Sequence, residues 1–221
     1  MITKLPRWVE VGGFVLAFMG GAVNAVALLG FNHQGVSHLT GSTSLLSVEV
    51  VQGHFTQSLH LVFMLLSFVA GAAISGFVVG NQYLQLGQRY SAALIAEAVA
   101  LVLAVHYLNQ ESNLGHYLAS AACGLQNAMT STFSGAIVRT THVTGLFTDL
   151  GVSIGAWLRG KPTDRRRLYL YGWLLSGFLL GGFAGAMLFT HFKFHTLLLP
   201  ALMAACIAAV YWVYLNRLAR R

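Results

Sequence analysis

Six stretches of this 221-residue chain are long and apolar enough to cross a bilayer as helices: about 9–31, 58–80, 90–108, 115–136, 168–190 and 195–215. The polar breaks between them are short. With 56% hydrophobic and 9% charged residues and a mean hydropathy of +0.67, no ordinary soluble domain is expected. The expected fold class is an all-α polytopic membrane protein, a single membrane domain over residues 1–221. Its first apolar stretch, about 22 residues, has the length of a span rather than of a signal-peptide core, so it is expected to stay in the mature protein.

Thirteen Lys+Arg against six Asp+Glu give a net charge of +7, a balance that in a soluble protein would suggest nucleic acid. Here the positions exclude that partner. The basic residues fall at the termini and at Arg159, Lys161, Arg165, Arg166 and Arg167, between apolar stretches, as the positive-inside bias requires of cytoplasmic loops. The partner implied is the lipid bilayer, with both termini cytoplasmic. Cys123 and Cys206 lie inside apolar segments, which favours neither a disulfide framework nor a cysteine metal site.

Two regions, 32–57 and 137–160, are too polar at their starts and too apolar later to be simple loops. Each opens on β-branched and hydroxyl residues, Val36-Ser37-His38-Leu39 and Val138-Arg139-Thr140-Thr141-His142-Val143, and then reaches Thr-Gly. Thr40 and Thr144 are expected to cap helices of roughly 12 to 16 residues, too short for a hydrocarbon core of about 30 Å. Re-entrant or half-length helices are therefore expected beside about six transmembrane helices. With six crossings Lys4, Arg7, Arg89, the 159–167 loop, Arg217, Arg220 and Arg221 lie inside and Lys193 outside; eight crossings would move Arg89 outside and Glu111 inside.

The same short sequence occurs twice. Gly21-Ala22-Val23-Asn24-Ala25 matches Gly124-Leu125-Gln126-Asn127-Ala128, and His38-Leu39-Thr40-Gly41 matches His142-Val143-Thr144-Gly145, with 16 residues from Asn to Thr in one copy and 17 in the other. The match extends to Phe68-Val69-Ala70-Gly71 and Phe178-Leu179-Leu180-Gly181. Two internal repeats follow, about 8–108 and 115–215. Three crossings per half make them inverted, a construction of secondary transporters in which half-helix N-termini point backbone amides at a solute. Non-helical backbone at membrane depth survives only inside protein or beside a watery cavity, so a polar site is expected between the two Thr-Gly elements.

Gly21 to Ala25, Leu39-Thr40-Gly41, Gly124 to Ala128 and Arg139-Thr140-Thr141-His142-Val143-Thr144-Gly145 resemble the signatures of the YoaK-like family of uncharacterised bacterial inner-membrane proteins. The resemblance runs over most of the chain and implies a multi-pass protein of the bacterial inner membrane. Members of that family often carry Asp where this chain has Asn24, and Thr-Gly-Asn where it has Thr40-Gly41-Ser42. Both departures weaken a cation site in the first half.

Candidate solute-binding residues are Asn24, His38, Thr40, Gly41, Gln126, Asn127, Arg139, Thr141, His142, Thr144 and Gly145. Arg139 is the basic residue beside the repeated motif, where the first copy has Gly35; it either holds an anion, reaches the cytoplasmic interface or pairs with Asp149. His38 and His142 each precede their Thr by two residues, which suits a solute site or a backbone-satisfied turn. Asn24, Gln126 and Asn127 either glue helices together or line a cavity, and their repetition favours the cavity. Glu97 sits deep in the third span, where a carboxylate is costly, so Glu97 and Asp149 are the candidates for proton or ion coupling. The glycines, from Gly12 and Gly21 to Gly76 and Gly185, are expected mostly at close helix contacts. His191 and His195 lack an evident third ligand, so no metal is expected; with no phosphate-binding glycine loop, no cofactor is expected either.

The function expected is a transporter or permeation protein for a small polar, more readily anionic, solute, with proton coupling allowed. A structural or sensory membrane protein, which the glycine-rich faces would let form a homo-oligomer, is the second class. An intramembrane enzyme is third, because no Ser, His and Asp set shows a diagnostic spacing.

Overall fold

The computed structural model describes residues 6–80, 88–135 and 137–219, apart from the side chains of Arg7, Leu218 and Ala219. Lys4, Arg220, Arg221 and the side chain of Arg7, used above to orient the chain, lie outside the described residues. The regular structure is helical: α1 (Arg7–Leu29), α2 (Leu39–Val51), α3 (Phe55–Val79), α4 (Gln88–Leu108), α5 (Asn113–Ser134), α6 (Val143–Leu158), α7 (Arg165–Phe192) and α8 (Leu198–Ala219), with a 3-10 turn at Lys193–Leu197.

Four stretches have the length and composition to cross a membrane: Trp8–Leu29, Phe55–Val79, Gln88–Leu108 and Arg165–Arg217. Their outer surfaces are apolar; Phe77, for instance, is 90% exposed. The last stretch holds 53 residues, which as one helix would run about 80 Å. It is broken at Lys193, whose φ of 49° takes the backbone out of right-handed helix, so α7 and α8 are separate helices. α5 has 22 residues and spans about 33 Å; expected as one of the six apolar spans, it is more polar than these four stretches. Its polar side chains Ser120, Gln126, Thr130 and Ser134 are buried in the bundle. By contrast α2, with 13 residues, and α6, with 16, extend only about 20 and 24 Å.

Packing contacts give the helix directions. Glu10 of α1 pairs with Arg166 of α7 at 2.7 Å, and the carbonyls of Phe14 and Phe18 abut Gly177 and Gly181; residue numbers rise together, so α1 and α7 run parallel. α3 and α5 are parallel too, with His60 beside Tyr117 (ring centroids 5.3 Å) and Ser120 Oγ donating to Met64 O at 2.9 Å. α4 meets α5 antiparallel, Leu108 packing on Gly115.

Beyond the end of α1, Asn32 Nδ2 donates to Asn113 Oδ1 at 2.8 Å and lies 3.1 Å from His60 Nε2. The chain therefore leaves α1 and enters α3 at one end of the bundle, and the intervening segment with α2 returns to the end it left. At the opposite end Phe133, late in α5, meets Trp8 at the start of α1 (5.6 Å), beside the Glu10–Arg166 pair at the start of α7. The segment with α6 likewise returns to its own end.

Helix backbones approach most closely at four glycines. A Cβ on Gly21 would overlap the carbonyl of Phe178, and one on Gly124 that of Phe68; Gly71 abuts Ala121 and Gly181 abuts Phe18 in the same way. Gly12 and Gly76, expected at such contacts, face open space instead. Two apolar cores result: one holds Val9, Met129, Phe133, Val138 and Leu174, the other Val26, Val36, Leu61, Met64 and Leu101.

Candidate functional site

The extended stretches before α2 and α6 are anchored by their own valines, Val36 entering one core and Val138 the other. Gly135, at φ 60°, ends α5 in the left-handed conformation that glycine adopts without strain. Ser134 Oγ then accepts from Val138 N at 2.9 Å, turning the chain back into the bundle. α2 begins at Leu39 and α6 at Val143, so His38 and His142 hold the N-cap positions and neither gives a side-chain cap bond. Thr40 and Thr144 are thus not the caps; they lie one residue inside each first turn. Thr144 O instead accepts from Thr148 Oγ1 (3.0 Å), and Thr40 O from Ser44 Oγ (3.0 Å).

Asparagines fasten each extended stretch. Asn24 Oδ1 accepts from Ser37 N at 3.3 Å. Asn127 Nδ2 donates to Thr141 Oγ1 at 2.6 Å, and Asn127 Oδ1 accepts from Thr140 Oγ1 at 3.2 Å. The two stretches are tied directly to each other, Thr141 Oγ1 donating to Ser37 O at 3.2 Å.

Around this crossing lies a cavity of about 450 Å³. Both copies of the motif wall it: Asn24 and Asn127, Ser37 and Thr141, His38 and His142, Leu39 and Val143, Thr40 and Thr144, Phe68 and Phe178. Ser131 and Arg139 complete the wall. No carboxylate lines it, and among the described residues Arg139 makes no ion pair. A second cavity of about 860 Å³ shares Arg139, His142 and Thr144 with the first and adds Gly145, Asp149, Asp164, Arg167 and Tyr171. It opens beside the Arg-rich segment that leads into α7.

Of the residues expected to bind solute, eight line the central cavity: Asn24, His38, Thr40, Asn127, Arg139, Thr141, His142 and Thr144. Gly145 lines the outer vestibule and Gly41 neither space. Gln126 is a brace, its Nε2 donating to Leu16 O at 2.7 Å and to Thr140 Oγ1 at 3.2 Å. Asp149 stands in the vestibule with Tyr171. Glu97 lies off both spaces, fully buried on α4 beside Cys123 of α5, with Oε2 unpartnered among the described residues. Ser37, Leu39, Phe68, Ser131, Val143 and Phe178 line the cavity without having been expected to bind solute; all but Ser131 fall within the repeated stretches of the sequence.

Apolar helices clad for lipid and folded around a polar interior define a multi-pass α-helical membrane protein. The chain belongs to the family described as a protein of unknown function (DUF1275), whose model matches residues 12–210, in keeping with the resemblance carried by its motifs. No curated protein and no solved structure matches it.

Proposed function

We propose that the protein carries a small polar anion across the bacterial inner membrane, binding it in the central cavity. One observation carries this reading: a single cavity is walled by both copies of the repeated motif and holds one cation, Arg139, with no carboxylate. A guanidinium with no ion pair among the described residues, ringed by amide and hydroxyl groups, suits an oxyanion. The vestibule beside it supplies a route from the basic side.

The architecture proposed is six crossings, α1, α3, α4, α5, α7 and α8, with α2 and α6 re-entrant and the two halves inverted. Support comes from the helix directions and from the paired glycine contacts: Gly21 on Phe178 and Gly124 on Phe68, Gly71 on Ala121 and Gly181 on Phe18. Each pair exchanges under the sequence match. Arg89, Arg159, Lys161 and Arg165 to Arg167 then share one side, the cytoplasmic one. Inverted halves around a midplane cavity allow the site to face each side in turn. Of the two acids considered for coupling, only Asp149 borders the path.

The test uses Ser131→Cys in a Cys206→Ser background, with a small membrane-impermeant thiol reagent applied to inside-out and right-side-out vesicles. A transporter exposes the thiol introduced at position 131 to both sides in turn, so labelling is expected from both. Labelling from the cytoplasmic side alone, or from neither, overturns transport in favour of a structural or sensory protein.

A further inference from the structure

Resting on the transport reading, the cavity's departures from twofold likeness identify its solute more narrowly. Twelve of its 14 lining residues fall into matched pairs; the unmatched ones are Arg139 and Ser131. Position 35, which answers to Arg139, is glycine, and a Cβ there would run into the His38 ring and the Asn24 amide. A second cation therefore has no room on the first repeat's side. Leu28 answers to Ser131, so the hydroxyl there is one-sided as well. Charge recognition is concentrated at one end of an otherwise balanced chamber.

The balanced remainder includes Phe68 and Phe178. Their backbones are pinned where the helices come closest, Phe68 O against Gly124 and Phe178 O against Gly21. Two rings held this way offer apolar faces to a flat solute, and ring-to-ring contact adds to the gain from burial. Asn127 and Thr141 are engaged with each other and with Thr140 Oγ1 and Ser37 O, while the Ser37 hydroxyl has no partner among the described residues.

We infer that the solute is a monocarboxylate with a flat apolar body, its single carboxylate on Arg139 and its body between Phe68 and Phe178. A carboxylate matches the guanidinium fork with two parallel hydrogen bonds. The second charge of a dicarboxylate would enter the side that holds Gly35, where it meets no cation and must be desolvated unpaired.

Protection of the Ser131→Cys thiol in inside-out vesicles tests this with benzoate, acetate, terephthalate and benzamide as probes. Benzoate is expected to slow labelling, and each of the other three to need at least about tenfold more for equal protection, since each lacks one matched group or carries one unmatched. Arg139→Gln should bring benzoate down to the level of benzamide. Terephthalate or acetate protecting as well as benzoate, or benzoate protection surviving Arg139→Gln, overturns the monocarboxylate assignment. Labelling that none of the probes slows also overturns it while leaving transport standing; failure of the introduced thiol to label at all overturns the transport reading itself.

Discussion

Thr141 joins the two halves through one hydroxyl, which accepts from Asn127 at 2.6 Å and donates to Ser37 O at 3.2 Å. Thr141→Val keeps shape and removes the polar atom, stranding the buried Ser37 carbonyl and a part-buried amide donor of Asn127. The expected cost is about 1–3 kcal/mol of stability, read as a lower thermal midpoint in detergent, with Thr141→Ser close to wild type. An unchanged midpoint in Thr141→Val would show that the crossing of the two stretches is not held by this bond. The asparagines and histidines of the site were legible in the sequence because they recur at matched spacing. Gln126 was legible as important but not as a brace, because its partner is the backbone carbonyl of Leu16, 110 residues away, and a backbone carbonyl leaves no mark on composition. Ser131 escaped notice for the opposite reason: its counterpart is Leu28, so repetition could not point to it. Thr40 and Thr144 looked like caps by residue preference, yet the helices start two residues earlier than that preference implies.

Helix packing rests on glycines where backbones touch. Gly124→Val places a branched side chain into Phe68 O and is expected to cost at least about 1–3 kcal/mol, the range for overpacking, with loss of a monodisperse peak in size exclusion. Gly76→Ala is the control: nothing lies within 4 Å of its Cβ position, and replacing helical Gly by Ala gains up to about 1 kcal/mol. Equal behaviour of the two variants would contradict the close contact between α3 and α5. Glycine-rich sequence announces such contacts in general, but it does not separate Gly124 from Gly76, since that depends on which face meets a neighbour. Element lengths were more legible. The half-length α2 and α6 follow from short apolar runs behind polar starts, whereas α5, expected to span from its apolar run, is more polar than the four apolar spans, with Ser120, Gln126, Thr130 and Ser134 buried in the bundle.

At the scale of the molecule, hydropathy and charge left six and eight crossings almost level, since they differ only in where Arg89 and Glu111 fall. Tertiary contacts support the six-crossing architecture proposed above. Asn32 beside His60, and Phe133 beside Trp8, join positions that hydropathy treats as independent. The inverted arrangement we propose matters for function because it would bring the two Thr-Gly elements to one cavity instead of to two separate faces. Impermeant labelling of single cysteines in intact cells, in the Cys206→Ser background, tests it directly. His191→Cys is the reference, outside under either arrangement, and Lys161→Cys the protected control. With re-entrant α2 and α6, Gln52→Cys and Glu111→Cys label from outside as His191→Cys does; if both are protected like Lys161→Cys, the short helices cross, the halves are parallel and the account fails.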